Sequence, residues 1–400
     1  MSADVHQSEN GGIVAEAQSE SSGCSSFEGT EKNLEVLFRR ISSWKDAPPS
    51  NSVRKSLRDI PVTTWNEILA LAGCQILTSS SNQYFDAYVL SESSLFVYPF
   101  KCVLKTCGRT TLLRALKKIL DTASGLGLEL DWLAYSRKQY ILGGNKQYEP
   151  HVTFESECEF AKTEVGLEEG SAFVLGDLNS EHWNIFIVDR SDVVPIQDDA
   201  EICLNVMMYD LDPSVSSVFS LKEGASPGTK DGTRAAVESG LCNVVPGAHR
   251  DDWMFDPCGY SMNAQQFGTF YTVHVTPEAA FSYASFETNL RCSSYLPLLR
   301  NVLRCFCPKK FTVTIFADEA AATSMKLSPT SQKQIHIAMP QKCKTGGNAA
   351  VYCRKSNCTM QFKTDFVCSM ADFTMSEAKM EVNNPAILLP PHKRQRTYTH

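Results

Sequence analysis

The sequence predicts an α+β sandwich, with two β-sheets packed back to back and helices on their outer faces. Three observations carry this expectation. Short segments rich in β-branched and aromatic residues recur in both halves of the chain. Several of them alternate in polarity, so each presents one face to a core. Amphipathic helical patterns are few, and a helix covers only one face of a sheet, so two sheets sharing an inner face is the economical way to bury the rest. With 400 residues the chain is long enough for a sizeable core.

In chain order, residues 1–26 are rich in Ser, Glu and Gly and read as a disordered extension. Residues 27–375 read as a single folded domain. Residues 376–400 read as a flexible basic tail containing Pro390, Pro391 and the run His392-Lys393-Arg394-Gln395-Arg396. Within the domain, Thr64-Trp65-Asn66-Glu67 has the form of a capping box ahead of Ile68, Leu69 and Leu71. Strands are predicted at Tyr84–Leu90, Leu95–Phe100, Val103–Thr106, Ala172–Leu175, Asn184–Val188, Thr269–Thr276, Phe281–Phe286 and Phe311–Phe316. Along Thr269–Thr276, the side chains of Phe270, Thr272 and His274 face one way and those of Tyr271, Val273 and Val275 the other. Leu112, Leu113, Leu116, Ile119 and Leu120 recur at helical spacing, as do Leu298, Leu299, Val302 and Leu303. Gly224, Pro227, Gly228 and Gly232 mark 223–240 as a loop. The two halves share no convincing identity, so a duplication is invisible at this level.

Composition narrows the function classes. A formal net charge of −7 argues against nucleic acid as a partner. No apolar run approaches the roughly 18 residues of a membrane span. The N-terminus lacks a basic stretch followed by an apolar one, so no secretory signal is predicted. Fifteen cysteines in such a chain read as reduced thiols in the cytoplasm. Cys343, Cys353 and Cys358 lie fairly close together but lack the paired spacing of a zinc site, so no metal is expected.

Five blocks carry chemistry. Tyr88-Val89-Leu90-Ser91-Glu92-Ser93-Ser94-Leu95-Phe96 reads as a hairpin with a polar turn. A serine hydroxyl held against the preceding carbonyl can attack it and shift the chain from amide to ester, and turn strain helps by setting near-attack geometry. Leu104-Lys105-Thr106-Cys107-Gly108 puts a thiol at a strand end, ahead of a helix and two residues from a lysine. That setting lowers a thiol pKa, although a small core cysteine is the plainer reading. With His274 as partner, Cys107 also fits a cysteine hydrolase. Phe255-Asp256-Pro257-Cys258-Gly259-Tyr260-Ser261-Met262-Asn263 and Thr272-Val273-His274-Val275-Thr276-Pro277-Glu278 add a serine, a strand histidine and a carboxylate, each unremarkable alone. So are the aromatic and two acids of Phe27-Glu28-Gly29-Thr30-Glu31.

Together these blocks resemble, in order and spacing, eukaryotic S-adenosylmethionine decarboxylase, a pyruvoyl enzyme of polyamine synthesis. The resemblance runs from about Phe27 to Phe316 and fades beyond. It is carried by FEGTEKNLEV from Phe27, YVLSESSLFV from Tyr88, LKTCG from Leu104, DPCGYSMN from Asp256, and HVTPE with FSYASFET from His274.

The resemblance implies a sandwich of two antiparallel sheets flanked by helices. It implies self-cleavage between Glu92 and Ser93 into a β chain (1–92) and an α chain (93–400) that stay packed together. Ser93 would attack the Glu92 carbonyl, His274 would take the Ser93 α-proton, and Ser261 would assist, leaving a pyruvoyl group in place of Ser93. That ketone would form a Schiff base with S-adenosylmethionine and serve as the electron sink that pyridoxal phosphate supplies elsewhere. Cys107 would return a proton after decarboxylation. Phe27 and Phe255 match the aromatics that sandwich the adenine, and Glu278 matches the acid that holds the ribose. Glu28 and Glu31 match acids near the pyruvoyl group. Glu35, Lys105 and Glu287 match part of a putrescine site of animal members. The chain places Glu201, Cys203 and Asn205 where that site has an Asp, a Thr and a Glu, which weakens its pull on a dication. Family members occur as monomers or homodimers of αβ units. A non-catalytic relative that activates a partner subunit is the second reading. Loss of the serine, the acid or the histidine would mark it, and Ser93, Cys107, Ser261 and His274 are all present.

Overall fold

Two antiparallel sheets are built largely from one half of the chain each. The computed structural model describes residues 31–41, 55–140, 147–166, 170–179, 181–190, 202–318, 321–322, 328–341, 343, 349–362 and 366–376. The first sheet holds β1 (Lys32–Arg40), β2 (Ile76–Ser81), β3 (Asp86–Leu90), β4 (Ser93–Val97), β5 (Lys101–Thr106), β6 (Leu128–Lys138), β7 (Ser171–Gly176) and β8 (His182–Asp189). The second holds β9 (Ile202–Tyr209), β10 (His249–Met254), β11 (Tyr260–Gln266), β12 (Thr269–Thr276) and β13 (Tyr283–Thr288). It continues with β14 (Lys310–Asp318), β15 (Gln334–Ala338), β16 (Ala349–Gln361) and β17 (Phe366–Met375).

The strand orders are β2-β3-β4-β5-β1-β6-β8-β7 and β10-β11-β12-β13-β9-β14-β17-β16-β15. The first six of each match when eight is added to every number. The fold therefore shows a topological repeat that the sequence halves do not. In both sheets the first strand of the half sits centrally, between the fifth and the sixth: β1 between β5 and β6, β9 between β13 and β14.

Alternation sorts the side chains into layers. Leu34, Val36 and Phe38 of β1 face outward into a core shared with helices Val62–Ala72, Leu116–Ser124 and Phe154–Val165. Leu204, Val206 and Met208 of β9, with Tyr271, Val273 and Val275 of β12, face outward beneath helices Thr229–Ser239 and Leu296–Phe306. Between the sheets lie two smaller apolar clusters, around Trp132 and around Phe96–Phe270, whose rings stack at 4.4 Å. The remaining inner positions are polar, and they build the site.

Two local expectations change. The first helix starts at Val62, after Pro61, whose φ of −59° already suits a helix start, so Thr64 lies inside it. A capping box exists instead at Ser56 and Asp59. Residues 229–239 form a helix rather than part of a loop. Gly232 sits in its interior, where a Cβ would lie 2.7 Å from the Trp253 nitrogen, so glycine there permits close packing on β10.

Candidate active site

The turn Ser91-Glu92 closes the β3–β4 hairpin, pairing Leu90 with Ser93. Ser93 is 1% exposed and has φ of +137°, a conformation that costs a non-glycine residue about 1–3 kcal/mol. The carbonyl just before it, that of Glu92, accepts the Cys107 N–H at 3.0 Å. The Ser91 N–H reaches the Gln75 carbonyl at 2.9 Å and pins the turn from the other side.

The facing sheet supplies a histidine. Register places Ser261 of β11 and Ser285 of β13 on either side of His274. His274 Nδ1 lies 3.0 Å from Ser261 Oγ, and Nε2 lies 2.9 Å from Ser93 Oγ, 2.9 Å from Thr272 Oγ1 and 3.2 Å from Ser94 Oγ. Burial pushes its pKa down to about 4, Glu31 opposing and Lys105 adding to the fall, so the ring is neutral near pH 7. Asn263 Nδ2 donates to the Tyr88 carbonyl at 2.9 Å, which turns Oδ1 toward Ser94 Oγ at 2.7 Å. Ser94 spends its one proton there and offers His274 only oxygen lone pairs.

Behind the histidine lies a buried charge network. Lys105 Nζ is 2.7 Å from Glu287 and 3.2 Å from Glu31, and Ser285 donates to Glu31 at 2.5 Å. Burial alone would raise the Glu31 carboxyl, but Lys105, His274 and Ser285 together pull it below the usual range. Asn205 Nδ2 donates to Glu287 at 2.6 Å, and Lys101 pairs with Glu35 at 3.2 Å. Glu35, Cys203, Asn205 and Glu287 line a small cavity between the sheets, where the buried Oδ1 atoms of Asn33 and Asn205 have no hydrogen-bond partner among the described residues.

In front of Ser93 opens a cavity of about 290 Å³, lined by Cys107, Ser261, His274, Phe255, Glu278 and Glu31, among others. Glu278 Oε2 is buried there with no hydrogen-bond partner among the described residues, an acceptor in want of a donor. Cys107 Sγ is 3.9 Å from Glu92 Oε2.

The structure thus brings Ser93, Glu92, Cys107, Ser261, His274, Glu31, Phe255 and Glu278 around one cavity, with Glu35, Lys105 and Glu287 behind it. Phe27, Glu28 and Glu201 lie outside the described residues. One expectation about Cys107 is corrected. The first helical turn after it starts only at Leu112, so no helix N-terminus reaches the thiol, and Lys105 is committed to Glu287 and Glu31. The lysine beside the Cys107 turn is Lys32, whose Nζ donates to the Gly108 carbonyl at 2.6 Å.

A sequence model described as adenosylmethionine decarboxylase matches residues 24–374, nearly the whole chain. The chain belongs to the adenosylmethionine decarboxylase family. The match carries the family past Phe316 and takes in β15–β17, where the resemblance was expected to fade. The S-adenosylmethionine decarboxylase proenzyme of Dictyostelium discoideum is 38% identical over 80% of this chain and 82% of its own length. The proenzymes of Drosophila melanogaster and Xenopus laevis are 37% and 38% identical, over 79% and 76% of this chain and 88% and 86% of theirs. A crystal structure of a Trypanosoma brucei AdoMetDC-delta26 monomer superposes with a TM-score of 0.52 at 23% identity, covering 70% of this chain and 99% of that one, and supports the fold.

Ser94, Asn263, Thr272 and Lys32 were given no role by the sequence. Period-two alternation could have found two of them, since Ser261 and Asn263 share a face of β11, as Thr272 and His274 share one of β12.

Proposed function

We propose that this chain is the proenzyme of an S-adenosylmethionine decarboxylase that cuts itself at Glu92–Ser93. The observation that carries this reading is a strained Ser93 whose Oγ lies 2.9 Å from His274 Nε2 while the preceding carbonyl holds the Cys107 N–H. Ser93 Oγ attacks the Glu92 carbonyl carbon. The negative charge that gathers on that oxygen meets a backbone N–H already in place. The C–N bond then breaks, the Ser93 nitrogen takes the hydroxyl proton, and an ester links the two halves. Neutral His274, held through Nδ1 by Ser261, removes the Ser93 α-proton. The Cβ–Oγ bond breaks and the upstream chain leaves with Glu92 as its new carboxylate. Water and loss of ammonia convert the remnant at position 93 to a pyruvoyl group, and its neighbours fit such a group, since Ser93 is already buried against them.

When present, the ketone supplies the electron sink for loss of carbon dioxide from a bound amino acid. Phe255 offers the adenine a face, and the Glu278 carboxylate, with its free Oε2, suits ribose hydroxyls. Cys107, which lines the same cavity as Ser93, would return the proton, a role typically worth about 10²–10⁴-fold.

The two pieces stay together because the upstream one contributes β1, paired along Lys32–Leu37 with β5 and along Lys32–Arg40 with β6. Glu35 and Glu287 line the small cavity between the sheets, and the buried pairs they make with Lys101 and Lys105, with Glu31 also on Lys105, sum to one negative charge. That balance suits a dication poorly, so we expect putrescine to change processing and turnover little. Fifteen cysteines read as reduced thiols, and on that reading we place the protein in the cytoplasm.

The test is release of labelled carbon dioxide from carboxyl-labelled S-adenosylmethionine. The wild type should release it and Ser93→Ala should not. Release by Ser93→Ala would overturn the reading.

A further inference from the structure

Lys32 opens β1, next to Glu31, and the two neighbours point to opposite faces of the first sheet. Glu31 reaches the network behind His274, whereas Lys32 points into the outer layer, on the side of Leu34 and Val36. There Lys32 is 0% exposed. Its Nζ donates to the Gly108 carbonyl at 2.6 Å and lies 5.8 Å from the Tyr140 ring, and no carboxylate among the described residues pairs with it. Glu157, the buried acid of this layer, is taken by Arg137 at 2.8 Å, His151 at 2.8 Å, Tyr135 at 2.6 Å and Tyr140 at 3.1 Å.

A buried ammonium without a carboxylate is costly, and the fold keeps this one at the turn where Cys107 sits. Gly108 takes φ of +67°, and the Cys107 N–H of the same turn donates to the Glu92 carbonyl. One end of the turn thus rests on Lys32 and the other touches the bond that is to break.

We propose that Lys32 is a positioning residue for Cys107, fixing the Cys107–Gly108 turn through the Gly108 carbonyl and setting a cation beside the thiol that eases its loss of a proton. The inference rests on the reading of Cys107 as proton donor. In that step the Sγ–H bond breaks and the hydrogen goes to the substrate carbon that has lost carbon dioxide. The sulfur keeps the electron pair as a thiolate, and water later restores the proton. Among the described residues, Glu92 from the hairpin turn, Tyr283 from β13 and Lys32 from β1 act on the thiol, and Glu31, Asp256, Cys258, His274 and Glu278 line the same cavity. Burial lowers the Lys32 pKa to about 8, with Cys107 foremost among the groups that oppose the fall, which agrees with the placement.

The test is the pH dependence of iodoacetamide alkylation at Cys107, read peptide by peptide by mass spectrometry. The full chain carrying Ser93→Ala is used, so the readout needs no turnover. Lys32→Gln retains a donor for Gly108 without the charge, and Lys32→Arg retains the charge. Lys32→Gln should raise the alkylation midpoint of Cys107 by about one pH unit and leave that of Cys258 in place, with Lys32→Arg near the parent. In the processed enzyme, Lys32→Gln should lower kcat about tenfold with KM little changed. An unchanged Cys107 midpoint in a folded Lys32→Gln protein would overturn the proposal. Full turnover by Cys107→Ala would instead sink the proton-donor reading and leave the alkylation result standing.

Discussion

His274 makes a quantitative prediction about acid stability. In the folded chain it titrates at about 4, whereas an unfolded histidine titrates near 6.5. Its folded pKa is depressed, so between those values the unfolded chain binds the proton and the folded one does not. The stability associated with the neutral ring is complete above about pH 6.5 and is lost as pH falls toward 4. Linkage gives a loss of about 2 kcal/mol between about pH 7.5 and pH 5 from this one side chain. The assay is urea unfolding at both pH values of the uncut Ser93→Ala protein, compared with the same protein carrying His274→Gln. His151, also pushed down to about 4 by burial, is common to both and cancels. The parent should lose about 2 kcal/mol more than the glutamine variant over that interval. Equal losses would mean that the buried ring already carries its proton at pH 5, and the picture of a neutral base beside Ser93 would fail.

Other expectations are simpler to read. Glu157→Gln leaves Arg137 buried without its carboxylate, and should cost about 3–5 kcal/mol in urea unfolding; a change under about 1 kcal/mol would contradict the pairing. In an open helix Gly232→Ala would stabilise by about 1 kcal/mol, but here the new Cβ would press on the backbone of Asp252 and Trp253, so the melting temperature should fall. Adding putrescine should change the rate of self-cleavage less than twofold or so, because losing a carboxylate near a dication removes much of the attraction.

The outline of the fold was legible where alternation was clean. Thr269–Thr276 was predicted with the bounds that β12 has, and its two faces separate into inner and outer layers as expected. Strands such as β1 and β9 were harder to read, because their inner faces carry Asn, Glu and Cys that resemble a solvated surface until a second sheet covers them. The helix at 229–239 was hidden by Gly232, whose reason is a contact with a strand some 20 residues on. The site was readable as motifs, but its geometry was not. Ser93 and His274 are 181 residues apart, and only the register of two facing sheets joins them. Lys105 lies two residues from Cys107, yet it turns to Glu287, while Lys32 arrives from another strand. Side-chain direction, not distance along the chain, decides which lysine serves the thiol.

The most direct measurement is an intact mass spectrum of the purified, denatured protein beside Ser93→Ala. The account predicts two masses for the wild type, one ending at Glu92 and one starting at residue 93 and lighter by one ammonia than a serine-started chain. Ser93→Ala should give a single uncut mass. A single uncut mass for the wild type as well would contradict self-cleavage and leave a non-catalytic, partner-activating subunit as the better reading.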